Sequence, residues 1–149
     1  MFHIIVFIIS WAVWLIFSDK KRWRELFPVC FLASFLGCFT DMLMQFYPLW
    51  QYQGGHPIFI FLADDLCVYI AVTYLFIQWL PEKRTLWRMV VYWFVWTAGT
   101  ISLELFYTRT ERLVYHQWWN MWCSYLADWL LFALFYYYHK SFRFEKLSR

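Results

Sequence analysis

Residues 115 to 136, YHQWWNMWCSYLADWLLFALFY, carry two stripes at helical spacing that point in different directions. Tyr115, Trp118, Trp122, Tyr125, Trp129, Phe132 and Tyr136 recur at intervals of three and four, the repeat of one face of an α-helix. His116, Asn120, Ser124 and Asp128 recur every fourth residue and, at about 100° per residue, are centred roughly 150° from the aromatic face. A helix this apolar belongs in lipid, and a line of hydrogen-bonding groups on it must turn away from hydrocarbon. The stretch therefore predicts a membrane helix with its polar line facing other helices.

The rest of the chain agrees. Of 149 residues, 63% are hydrophobic, 27% aromatic and only 15% charged, whereas a soluble domain carries about 25% charge. Four more apolar segments precede the quoted one, giving spans at about 2–17, 26–46, 58–80, 86–107 and 113–139, with a polar tail over 140–149. Tyr47-Pro48 stops the second, because proline lacks an N–H and restricts the residue before it. Gly54-Gly55 breaks helix, and Pro57 can open the third span. The first segment has basic residues after it and none before, the reverse of a cleaved signal peptide, so it reads as a retained span.

Five spans put the two ends of the chain on opposite sides. Of the thirteen lysines and arginines, Lys20, Lys21, Arg22, Arg24, Lys83, Arg84, Arg88, Lys140, Arg143, Lys146 and Arg149 fall on one side, and Arg109 and Arg112 on the other. The positive-inside rule then places the N-terminus outside and the C-terminus in the cytoplasm. The expected fold is all-α: one transmembrane domain, a bundle of five helices. The net charge of +3 is clustered at span ends, where it sets topology, and does not point to nucleic acid. Cys30, Cys38, Cys67 and Cys123 lie in apolar segments without CxxC spacing, so they read as packed thiols rather than a disulfide or zinc framework.

Each span except the first has a seam of polar groups: Ser34, Cys38, Asp41 and Gln45 on the second, Asp65, Tyr69 and Thr73 on the third beside Asp64, and Trp93, Thr97, Thr100 and Glu104 on the fourth. With the topology above, most of the acids fall in the outer half of the bilayer, and Asp128 lies deeper. Asp41, Asp64, Asp65, Glu104, His116 and Asn120 are thus candidates to line one outward-facing acidic pocket. Three readings compete for it. Arg109, Arg112 and His116 can neutralise the acids in a structural network. The pocket can bind a cation, since oxygen ligands with an imidazole suit a divalent metal and carboxylates among aromatic rings suit an organic ammonium. It can also activate metal-bound water, although no HExxH, GxSxG or glycine-rich phosphate loop is present and no catalytic residue is assigned. His56 reads as a loop residue or a lid over the pocket. No cofactor is implied beyond a divalent cation, and haem is disfavoured for want of axial ligands at matching depth. Trp118, Trp122, Tyr125 and Trp129 form a face for lipid, for a second copy or for another membrane protein.

Four stretches also carry a family resemblance: DKKRWRELFP, FTDMLMQFYPLW, SLELFY and WWNMWCSYLAD. They resemble the small, aromatic-rich, multi-pass membrane proteins common in endospore-forming Gram-positive bacteria, a family of unknown function. The resemblance implies a bacterial cytoplasmic membrane and a sporulation setting, and it supplies no catalytic residues. The leading expectation is binding, extending to passage, of a cation or small cationic solute. The alternative is a non-enzymatic scaffold or partner subunit acting through the aromatic face.

Overall fold

The computed structural model describes residues 2–147, which form five helices and one two-stranded ribbon. Helix α1 is Phe2–Phe17. A 3-10 turn, Lys20–Arg22, leads into α2, Trp23–Met44. Helix α3 runs over Pro57–Gln78, α4 over Leu86–Arg109 and α5 over Met121–Ser141. Strands β1, Trp50–Tyr52, and β2, Leu113–Tyr115, pair antiparallel. The end of the polar tail, with Arg149, lies outside the described residues.

Three helical segments are long and apolar enough to cross a membrane: Lys20–Met44, Pro57–Gln78 and Leu86–Arg109. Helix α1 is apolar but shorter. The fold is all-helical apart from the ribbon, as expected, and length and apolarity by themselves support three crossings.

The fifth span is corrected at its start. Residues 113–115 are strand, and helix begins only at Met121. Two local features prevent an earlier start. Gln117 sits at φ 56°, in the left-handed region that a helix cannot use. Asn120 then caps the helix, its side-chain oxygen accepting from the N–H groups of Trp122 and Cys123 at 2.9 and 3.2 Å. Tyr115, His116 and Trp118 therefore stand off the helix whose stripes they extend in the sequence.

The chain forms two compact units. The first holds residues up to 40, 55–79 and from 135 onward. Its core packs Trp14, Phe27 and Tyr74 edge to face at centroid distances of 5.6 to 6.2 Å, over the fully buried Leu26, Val29 and Ala33. Helix α3 contains a π-helical turn, Asp64–Val68, in which the Tyr69 N–H reaches back to the Asp64 carbonyl. At its start His56 accepts a hydrogen bond from the Ile58 N–H and Pro57 takes the first helical position, so His56 is a helix cap. The second unit holds residues 41–54 and 80–134. There the ribbon continues past its strands, with His116 N–H on the Leu49 carbonyl at 2.7 Å and Gln53 N–H on the Arg112 carbonyl at 2.8 Å.

Two helical glycines in different surroundings test this packing. A Cβ added at Gly37 would stand 2.6 Å from the Asp65 carboxylate and 3.1 Å from the Tyr69 ring, whereas one at Gly99 meets nothing within 4 Å. In thermal melts in detergent, Gly37→Ala should lower stability by roughly 1–3 kcal/mol, as overpacking does. Gly99→Ala should raise it by up to about 1 kcal/mol through helix propensity. Equal effects at the two positions would contradict the packing of α2 on α3.

Candidate functional site

In the second unit the two polar seams read from the sequence meet. Thr100 on α4 donates to the Asp128 carboxylate on α5, and Ser124 on α5 donates to Glu104 on α4 at 2.7 Å. Trp96 meets Phe132 and Trp93 meets Trp129 at ring separations of 6.3 and 6.2 Å. Each step of four up one helix, 96 to 100 to 104, matches a step of four down the other, 132 to 128 to 124. That is the signature of antiparallel helices in register, with one face of each turned to the other.

The ribbon closes over this seam. Tyr115, from β2, donates its hydroxyl to Glu104 Oε1 at 2.6 Å, the oxygen that Ser124 also engages. Burial first, and the Glu104 carboxylate after it, push the Tyr115 phenol well above its usual pKa, so it remains a donor at neutral pH. Ser124 in turn accepts from the Trp119 indole at 2.9 Å. Trp119 packs on Trp50 with centroids 5.2 Å apart, and the Trp50 indole donates to Asp41 Oδ1 at 3.3 Å. Asp41 is thus held by the Trp50 indole, Glu104 by the Tyr115 and Ser124 hydroxyls, and Asp128 by the Thr100 hydroxyl. Among the described residues, no lysine, arginine or histidine pairs with any of the three.

The other candidates are placed as follows. Asn120 is the cap of α5. His116 belongs to the ribbon, and its Nε2 is buried without a hydrogen-bond partner among the described residues. Arg112 donates to the Gly54 carbonyl at 3.2 Å, and Arg109 is exposed. Asp64 and Asp65 belong to the first unit, where both are buried in the π-helical turn and Asp64 Oδ2 lies 3.7 Å from His3 Nδ1. Of the six residues assigned to one pocket, then, Asp41 and Glu104 are connected, through Trp50, Trp119 and Ser124. Asp128, which the sequence places on the polar stripe of α5 and deeper than the other acids, lies on the same α4–α5 seam as Glu104. Of the aromatic face, Trp122 and Trp118 are 76% and 60% exposed, while Trp129 packs against Trp93. Among the described residues no group of three or more His, Cys, Asp or Glu side chains is placed to hold a metal ion.

The first unit contains a polar cluster that the sequence reading misses. Glu25, 1% exposed, takes both a two-pronged hydrogen bond from Arg22, at 2.6 and 2.9 Å, and a contact from His139 Nε2 at 3.0 Å. Arg22 also donates to the Gln78 carbonyl at 3.2 Å, and the Gln78 side chain donates to the Phe17 carbonyl and accepts from the Asp19 N–H. The cluster ties the ends of α1, α2, α3 and α5. Glu25 is hidden in the sequence because it sits in a basic run that reads as a membrane flank, although its i, i+3 spacing from Arg22 is an ion-pair spacing.

Comparison of the chain with protein-family models, with curated proteins and with solved structures found no match.

The Glu25 cluster is a paired ionic contact, and breaking one partner strands the others. Glu25→Gln should cost about 2–3 kcal/mol, below the range for a fully buried pair because Arg22 is 32% exposed on its side chain. Lys20→Gln, at a solvated position of the same run, should change stability by less than about 0.5 kcal/mol. Denaturation of the purified protein measures both, and a neutral Glu25→Gln would show that the cluster does not hold the helix ends together.

Proposed function

We propose that this chain is a multi-pass membrane protein that binds a cation or small cationic solute at the carboxylates Asp41, Glu104 and Asp128. The observation that carries the reading is the lack of any basic partner for these acids among the described residues. A carboxylate at the centre of a membrane helix costs about 2.5–3.5 kcal/mol. Hydroxyl and indole donors offset part of that and leave the negative charge uncancelled, so a bound cation or proton completes the site. The rings of Trp50, Tyr115 and Trp119 beside the acids favour an organic ammonium, which gains from aromatic faces as well as from charge. A divalent metal would need more hard ligands in one place than the described residues assemble.

In this reading all five helices cross the bilayer, with α1 and α5 added to the three long apolar segments. The N-terminus is outside, eleven of the thirteen basic residues lie on the cytoplasmic side, and the membrane is that of a bacterium. The competing reading is a scaffold or partner subunit working through Trp118 and Trp122, exposed in the turn before α5 and in its first turn.

Thermal melts separate the two. An organic ammonium such as tetramethylammonium should raise the midpoint of the wild type, by up to about 2.7 kcal/mol of stabilisation at one hundred times the dissociation constant. Glu104→Gln and Asp128→Asn should abolish that gain, yet without ligand they should melt at or above the wild-type temperature, because each removes a buried like charge. If both variants melt lower and no cation stabilises the wild type, the acids are structural and the scaffold reading stands.

A further inference from the structure

The start of α4 carries a groove that the cation site does not use, lined by Pro81, Trp87, Arg88, Val91, Tyr92 and Val95. Arg88, Val91, Tyr92 and Val95 are spaced i, i+3, i+4 and i+7, so they fall on one side of the helix, over a length of ~10 Å. The groove therefore has a guanidinium at one end and an apolar trough running from it along the helix. Arg88 is exposed and has no acidic partner among the described residues, while Trp87 beside it is 75% exposed. Lys83 and Arg84 precede Arg88 in the sequence, with the one acid Glu82. Only 11% of the apolar window of α4 is buried, compared with 33% and 44% for the other two long apolar segments. An apolar trough on the least buried of the three long apolar segments, headed by an exposed arginine and an exposed tryptophan, has the polarity of a lipid molecule.

We propose that this groove is a binding site for an anionic phospholipid, with its phosphate on Arg88 and an acyl chain along Val91, Tyr92 and Val95. The proposal rests on the membrane reading but not on the cation site. Charge complementarity selects the occupant: a basic corner near a membrane surface gains about 1 kcal/mol per lysine or arginine from anionic lipid, and a zwitterionic head group offers no such gain.

Native mass spectrometry of the detergent-solubilised protein, with phosphatidylglycerol or phosphatidylcholine added at equal concentration, tests it. The wild type should retain phosphatidylglycerol in preference, by about fivefold, the ratio equivalent to one such charge contact. Arg88→Gln should remove the preference, and Val91→Trp, which fills the trough, should reduce retention of both lipids. Arg109→Gln, an exposed basic residue at the other end of α4, should leave the preference intact. Equal retention of the two lipids by the wild type, or an undiminished preference in Arg88→Gln, would overturn the site and leave the membrane reading standing. Retention of neither lipid would likewise overturn the site.

Discussion

Charge in an apolar setting is the constraint on which the second unit depends. Glu104 and Asp128 lie on helices whose other residues are largely hydrocarbon, and a bare carboxylate there is unfavourable by several kcal/mol. Hydrogen bonds to a charged group return about 1.5–3 kcal/mol each, so the donors must be placed where the acids are. That requirement fixes the register of α4 against α5: Thr100 has to meet Asp128 and Ser124 has to meet Glu104. It also fixes the ribbon, because Tyr115 reaches Glu104 only if β2 folds back over α4, and β1 is then held opposite it, Trp50 facing Tyr115. The aromatic rows beside the seam, Trp93 on Trp129 and Trp96 on Phe132, pack as a consequence of the same alignment.

The first unit handles the same difficulty differently. Glu25 is as deeply buried as any acid in the chain, but a guanidinium and an imidazole both meet it. A pair so satisfied has little to offer a ligand, since removing either partner leaves an isolated charge. The acids of α4 and α5 meet hydroxyl donors and, among the described residues, no basic partner. The two clusters thus differ in how their acids are met, one by a guanidinium and an imidazole and the other by hydroxyl groups. Asp64, near His3, sits closer to the first kind.

Much of this was legible in the residues. Ser124 and Asp128 on one helix and Thr100 and Glu104 on the other turn to a neighbouring helix, as polar groups on apolar helices must, although spacing alone does not say which helix each meets. The ends of α3 and α4 were read to within about two residues, since Pro57 and the Lys83-Arg84 run punctuate them. Residues 113–120 were misread because an apolar run with aromatic residues at three- and four-residue spacing satisfies a helical template even when its backbone is a strand and a turn. The left-handed Gln117 leaves no mark in the sequence, although Asn120 ahead of an apolar run is a cap signal. The partnership of Glu25 with His139 joins residues 114 positions apart, which periodicity cannot report. The grouping of all six candidate residues into one pocket assumed that groups at equal depth are neighbours; depth says nothing about position around a bundle.

On the proposed reading Glu104 and Asp128 are held ready for a cation rather than satisfied within the protein. Carboxyl-carbon NMR reports on it most directly. In protein labelled at the aspartate and glutamate side-chain carbons, with resonances assigned through Glu104→Gln and Asp128→Asn, tetramethylammonium should shift the Glu104 and Asp128 signals saturably and leave Glu25 unmoved. Unchanged Glu104 and Asp128 signals across the titration would contradict the account.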